Sequence, residues 1–225
     1  MPRLYIIIAP RLYIFIHKSM IRNIIFDLGG VIFDIRYENV PEAFARLGVT
    51  DFDKLYTQQA QSDAIDLFEE GKMSVPDFRN YIRTIASGVP LTDQQIDEAW
   101  NSIMGDIPVE RVEMLKEVRK KYRIFLFSNS NKLNCDQFRE DMRKKFGYDI
   151  FDTLFEKAYF SQDIHYRKPH VKAFQFVLRD AGIDPAETLF IDDTVRHIEG
   201  AKKCGLHTHL LTKDEEIVTY IKENL

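Results

Sequence analysis

Cysteine is scarce in this chain: two in 225 residues, Cys135 and Cys204, far apart and without metal-ligand spacing. That excludes a disulfide-stapled scaffold and a cysteine-based zinc site, and it reads as reduced thiols in a cytoplasmic protein. Blocks of Lys or Arg are absent as well, and the formal net charge is −4. A nucleic-acid partner, which needs a basic face, is not indicated. No apolar run is long enough to span a bilayer. The nearest approach is the first nineteen residues, where "RLYIII" (3–8) returns as "RLYIFI" (11–16), but Pro10 and Arg11 break it. A signal peptide would need an apolar region followed by a small-residue cleavage site, and this segment lacks that order. The expectation is that residues 1–19 are an upstream extension, that native translation begins at Met20, and that no membrane partner exists.

What is present is the balance of a soluble globular protein, 45% hydrophobic and 29% charged, long enough for one large α/β unit or a core with an insert. Four short apolar runs have strand character: Asn23–Asp27, Arg123–Asn129, Lys157–Ser161 and Thr188–Asp192, with a weaker fifth at His207–Leu211. Helical patterns lie between them at Val109–Lys121, Asp136–Phe146, His170–Ala181 and Val195–Cys204. Strands alternating with one-sided helices predict a doubly wound parallel sheet, an α/β fold. Between residues 37 and 106 no strand candidate occurs; amphipathic segments ending in Gly or Ser replace it. Ser74 and Thr92 stand as N-caps, with Asp77 and Gln95 three residues on as capping-box partners. The predicted organisation is a core of 20–36 and 107–225 interrupted by a helical-bundle cap at 37–106, placed where it overhangs the carboxyl ends of the strands.

Four strand ends carry distinctive residues: Asp27; Ser128 and Asn129; Lys168 before Pro169; and Asp192 with Asp193. Singly, each has an ordinary explanation as a helix cap or turn former. Together they meet the demands of attack on a phosphate ester. A carboxylate nucleophile and a phosphate repel each other, so a divalent cation must lie between them and further carboxylates must hold it. A hydroxyl, backbone N–H groups and a cation must take the remaining phosphoryl oxygens. Lys168 also offsets repulsion among three acids, and Pro169 restricts its backbone to an extended conformation.

In this order, "FDLGGVIFD", "FSNSN", "YRKP" and "FIDDTVRHIEGA" resemble the haloacid dehalogenase-like hydrolase superfamily over essentially all of residues 21–225. Within it they are similar to bacterial sugar-phosphate phosphatases of the α-D-glucose-1-phosphate phosphatase type. The resemblance implies a Rossmann-like core with a helical cap inserted after the first motif, and a magnesium-dependent phosphatase acting on a small phosphorylated metabolite, a sugar phosphate favoured, through an aspartyl-phosphate on Asp27. It implies phosphate binding by Ser128, Asn129 and Lys168, with Lys168 also catalytic. It implies a metal site from Asp27, the Gly29 carbonyl, Asp192 and Asp193. The protein would be a monomer or homodimer.

One absence stands out against that family. Its phosphatases mostly carry a second Asp two residues after the nucleophile to protonate the leaving oxygen, and this chain has Gly29 there. General acid help is worth about 10²–10⁴ in rate, so its loss favours leaving groups that depart with little proton assistance, such as an anomeric sugar oxygen. Asp34 is a candidate substitute acid. Glu69 and Glu70, in a loop that faces substrate in related caps, are candidates for substrate specificity. Two alternatives remain: a 2-haloacid dehalogenase, which uses an arginine soon after the nucleophile (only Arg36 qualifies here), and a non-catalytic phosphate-binding member of the fold.

Overall fold

The computed structural model of the chain describes residues 21–50, 52 and 62–225; the expected extension at 1–19 lies outside them. Five strands make one parallel sheet: β1 (Asn23–Phe26), β2 (Arg123–Ser128), β3 (Lys157–Phe160), β4 (Thr188–Asp192) and β5 (His207–Leu210), in the order β3-β2-β1-β4-β5. After β1 the chain leaves the sheet for helices, among the described residues α1 (Asn39–Arg46), α2 (Asp63–Glu69), α3 (Val75–Ile85) and α4 (Asp93–Asn101), and returns through α5 (Val109–Val118). The later connections carry α6 (Lys132–Phe146), the single turns α7 (Ile150–Thr153) and α8 (Ser161–Ile164), then α9 (Val171–Ala181), α10 (Val195–Lys202) and α11 (Ile217–Asn224). No helix among the described residues is long and apolar enough to cross a membrane.

The strands read as continuous apolar runs because helices cover both faces of the sheet. Alternation along each strand sorts the side chains. Ile24, Phe26, Ile124, Leu126, Leu189 and Ile191 pack on one face with residues of α5, α6 and α11. Ile25, Phe125, Phe127 and Phe190 pack on the other with α9 and α10. Each such fully buried side chain contributes about 1.5–3 kcal/mol.

Several boundaries differ from the sequence expectation. Helix α6 starts four residues before Asp136, because the Asn131 side chain accepts from the Asn134 N–H at 3.1 Å and caps the extra turn. Strand β3 stops at Phe160, and Ser161 opens α8. Helix α11 was not anticipated; its Ile217 and Ile221 complete the core beside α5.

The helical insertion has its own apolar core, in which Phe68 and Phe78 stack at 4.1 Å and Trp100 meets Phe78 edge-on at 4.8 Å. Thr92 and Gln95 form the complete capping box. At Ser74 only half of it forms: the hydroxyl accepts from the Asp77 N–H, and the Asp77 carboxylate accepts from that hydroxyl rather than from the backbone. The two connecting segments pair with each other, the Asp34 N–H donating to the Asp106 carbonyl and the Arg36 N–H to the Ile103 carbonyl.

Register positions the chemistry. Phe26 lies opposite Leu126 on one side and Ile191 on the other, so Asp27, Ser128 and Asp192 emerge at one edge of the sheet. The chain runs from β1 outward through β2 to β3, then returns to place β4 on the other side of β1. That reversal opens a crevice at the carboxyl ends of the strands.

Candidate active site

Asp27 follows the last residue of β1 and is held by two backbone contacts: its N–H donates to the Ile191 carbonyl at 2.9 Å, and its Oδ1 accepts from the Leu28 N–H at 2.7 Å. The Lys168 ammonium, fully buried, lies 2.7 Å from Asp27 Oδ1 and 2.7 Å from Asp192 Oδ2. Asn129 aims that lysine. Its amide donates to the Lys168 carbonyl at 2.9 Å and accepts from the Lys168 N–H at 2.8 Å. Both ends of the Asn129 side chain are therefore committed to the Lys168 backbone, while Asn129 itself lines the crevice. Ser128 lines the crevice as expected.

The acid pair divides its labour. Asp192 is fully buried, and its oxygens accept from Lys168, from the Thr194 N–H at 2.8 Å and from His197 Nδ1 at 3.0 and 3.1 Å. It is not among the residues that line the crevice. In this arrangement its oxygens serve Lys168, the Thr194 N–H and His197. Asp193 does line the crevice, with Oδ1 accepting from the Thr194 hydroxyl at 2.9 Å. Gly30, at φ +76°, lets the first loop approach this closely, since a Cβ there would strike the Asp193 carboxylate.

Charge in the cluster is unevenly compensated. Burial, then Asp192, pushes the Asp27 carboxyl well above the usual range, with Lys168 opposing. Burial acts on Asp192 in the same sense, but Lys168 and His197 outweigh it and hold that carboxyl below its ordinary value. Burial also lowers Lys168, and the two carboxylates more than reverse this. Asp193 is raised by burial and by Asp192. Among the described residues, Asp27, Asp192 and His197 bring donor atoms within 4.8 Å of one another, but the Lys168 ammonium already bridges the two carboxylates.

The remaining sequence candidates scatter. The Asp34 carboxylate bonds Arg111 Nη1 at 2.8 Å, its side chain is 44% exposed, and it does not line the crevice. It is not placed to act as the substitute acid. Glu69 lines the crevice and is buried; Glu70 does not line it and pairs with Lys72 at 2.7 Å. The sequence reading missed Tyr37, Arg167, Arg196 and His197, all of which line the crevice. Arg167 was legible as the neighbour of Lys168 in "YRKP". His197, five residues after Asp192, is carried back toward the strand end because helical side chains lean toward the helix N-terminus.

Residues 21–205 match the haloacid dehalogenase-like hydrolase family. The chain belongs to that family. A D-ribitol-5-phosphate phosphatase of Bacteroides thetaiotaomicron is 31% identical over 189 residues, which are 84% of this chain and 91% of that protein. A haloacid dehalogenase family enzyme from the same organism, solved as a mutant in complex with magnesium and inorganic phosphate, matches with a TM-score of 0.83 at 31% identity, over 87% of this chain and 96% of that one. A hydrolase of this family from Porphyromonas gingivalis matches with a TM-score of 0.82 at 31% identity, over 91% and 98% of the two chains. The family and fold expected from the four motifs are those found.

Proposed function

We propose that this hydrolase is a magnesium-dependent phosphatase of small sugar or sugar-alcohol phosphates, with Asp27 as nucleophile. The observation that carries the reading is the buried Lys168 ammonium, 2.7 Å from Asp27, at a strand end where Ser128 and Asp193 line the same crevice. In this reading an Asp27 oxygen attacks phosphorus, the bond to the leaving oxygen breaks, and the alcohol departs with a proton taken from water. Water then cleaves the acyl-phosphate, freeing Asp27 and inorganic phosphate. Ser128 and Lys168 hold phosphoryl oxygens, and Asn129 keeps Lys168 aimed.

The donors at the crevice suit magnesium: the carboxylates of Asp27 and Asp193 and the backbone of Gly29 form an all-oxygen set. An ion bound there would offset the repulsion between Asp27 and the phosphate dianion. The Bacteroides thetaiotaomicron enzyme, solved with magnesium and, as a mutant, with magnesium and inorganic phosphate, supports this.

Two features bear on the leaving group. Gly29 supplies no acid, which favours anomeric phosphates, whereas the relative named for D-ribitol 5-phosphate points to a primary alcohol. Restoring an acid at 29 meets no left-handed backbone; the obstacle is Ile35, whose Cγ1 lies 2.8 Å from the position of a Cβ. The dehalogenase alternative lacks its arginine here, since Arg36 is exposed and outside the crevice lining.

The test is phosphate release from a panel spanning anomeric, aryl and terminal sugar and polyol phosphates, with magnesium and with chelator. Release that requires magnesium is expected. Halide release from a 2-haloacid in chelator, with no phosphate from any ester, would overturn the reading.

A further inference from the structure

Arg167 immediately precedes the catalytic lysine, yet its guanidinium turns to the helical insertion. It pairs with Asp66 through Nη1 and with Glu69 Oε2 through Nη2 at 2.7 Å. The Arg167 and Glu69 side chains are 8% and 7% exposed, and both line the crevice. Glu69 is not free to swing away. Its carbonyl accepts from the Ser161 hydroxyl at 2.5 Å, the next carbonyl, of Glu70, accepts from His165 Nδ1 at 2.9 Å, and Gly71, at φ +64°, sits against the Gln162 carbonyl so closely that a Cβ would collide with it.

We propose that the Glu69–Arg167 pair determines specificity: it admits an uncharged, hydroxyl-bearing leaving group and rejects one that carries a second anion. This rests on the phosphatase reading and deepens it. Two buried cations serve the site, and each is shared by two carboxylates: Lys168 by Asp27 and Asp192, Arg167 by Asp66 and Glu69. A leaving-group carboxylate that lies against this pair has two options, both unfavourable. It can take Arg167 from Glu69, leaving a buried anion without its cation. Or it can sit beside Glu69 and be repelled. A hydroxyl meets neither penalty, because the Glu69 carboxylate accepts from it and the Tyr37 phenol, on the same crevice wall, can donate to it or accept from it. Rejection by a misplaced like charge, rather than tighter binding of the preferred ligand, is then the source of discrimination.

The experiment compares sn-glycerol 3-phosphate with 3-phosphoglycerate, which match in size and in the ester oxygen and differ in the carboxylate. Each is measured as a competitive inhibitor of p-nitrophenyl phosphate hydrolysis in magnesium, so that turnover of the test compound is immaterial. Like-charge juxtaposition costs several kcal/mol, so the wild-type inhibition constant for the acid should exceed that for the neutral compound by about 100-fold. Glu69→Gln, which keeps a hydrogen-bonding side chain and removes the charge, should cut that ratio at least about tenfold by improving the acid alone. Asp66→Asn, on a side chain 41% exposed, gives a second variant that survives if Glu69→Gln does not fold, and should move the ratio in the same direction by less. A ratio near one in the wild type, or one unchanged in folded variants, overturns the inference while leaving the phosphatase reading intact. Tighter binding of the acid would overturn it too and assign the anion to Arg196. No hydrolysis of p-nitrophenyl phosphate would remove both.

Discussion

Among the described residues, the buried charged side chains Asp27, Asp149, Arg167, Lys168 and Asp192 belong to the sheet core, and Glu69 alone to the helical insertion. The insertion is held instead by apolar contacts such as Phe68 on Phe78, and has less buried ion pairs such as Arg79 with Asp97 and Arg83 with Asp93. The difference follows from where polar groups can converge. Parallel strands end together, so whatever follows them is gathered into one low-dielectric space where charges must be paired. Helices packed by one apolar face send their charges outward. The core can therefore concentrate reactive groups, and the insertion adds a single buried charge where its edge meets the crevice. In the proposed function, reaction chemistry and ligand choice divide between the two parts accordingly.

The sharpest way to test that division is to remove the nucleophile. Asp27→Asn should lower phosphate release by at least about 10⁴-fold with an unchanged thermal melt, the sample being checked by mass spectrometry for deamidation back to Asp. Substantial retained turnover would show that the core does not hold the nucleophile.

Next comes the acid pair. Asp193→Asn should weaken magnesium binding, read by calorimetric titration, by more than the roughly 10–100-fold that outlying partners of a metal site cost. Asp192→Asn should leave magnesium affinity nearly unchanged and act on activity through Lys168. A larger magnesium effect at 192 than at 193 would exchange the roles drawn from their burial and bonding.

The junction between the parts should respond in stability. Arg167→Met strips the cation from buried Glu69 and should cost about 3–5 kcal/mol in denaturant titration. Adding Glu69→Met should recover most of it, because a buried pair exchanged for apolar side chains is close to neutral. Equal losses in the single and double variants would mean that packing, not charge, joins the insertion to the core here.

The smallest effect belongs to the insertion alone. Thr92→Ala removes the capping hydroxyl of α4 and should lower stability by about 1 kcal/mol, with kcat/KM unchanged. A matching loss of activity would show that α4 is coupled to the crevice, which its contacts with α6 through Trp100 and Asn131 at 3.2 Å make the right place to look.

The local order of residues was enough to indicate the sheet class, the helical interruption after the first strand and the four segments to which the chemistry is assigned by proposal. Those features are encoded by short-range pattern: apolar runs of strand length, turn residues after them and caps before helices. It was also enough to pick out Asp27, Ser128 and the acid pair as candidates, since each ends or directly follows a strand, and Lys168 from its place before Pro169 in the connection after β3. Which member of the pair faces the crevice was decided only in three dimensions, where one carboxylate is surrounded by Lys168, His197 and the Thr194 N–H and its neighbour is left at the rim. The same holds for Asn129, whose amide is spent on the Lys168 backbone, and for Asp34, drawn off to Arg111. Glu69 and Arg167 are 98 positions apart. Their pairing depends on how the insertion packs against the core, a long-range contact to which no local pattern along the chain contributes.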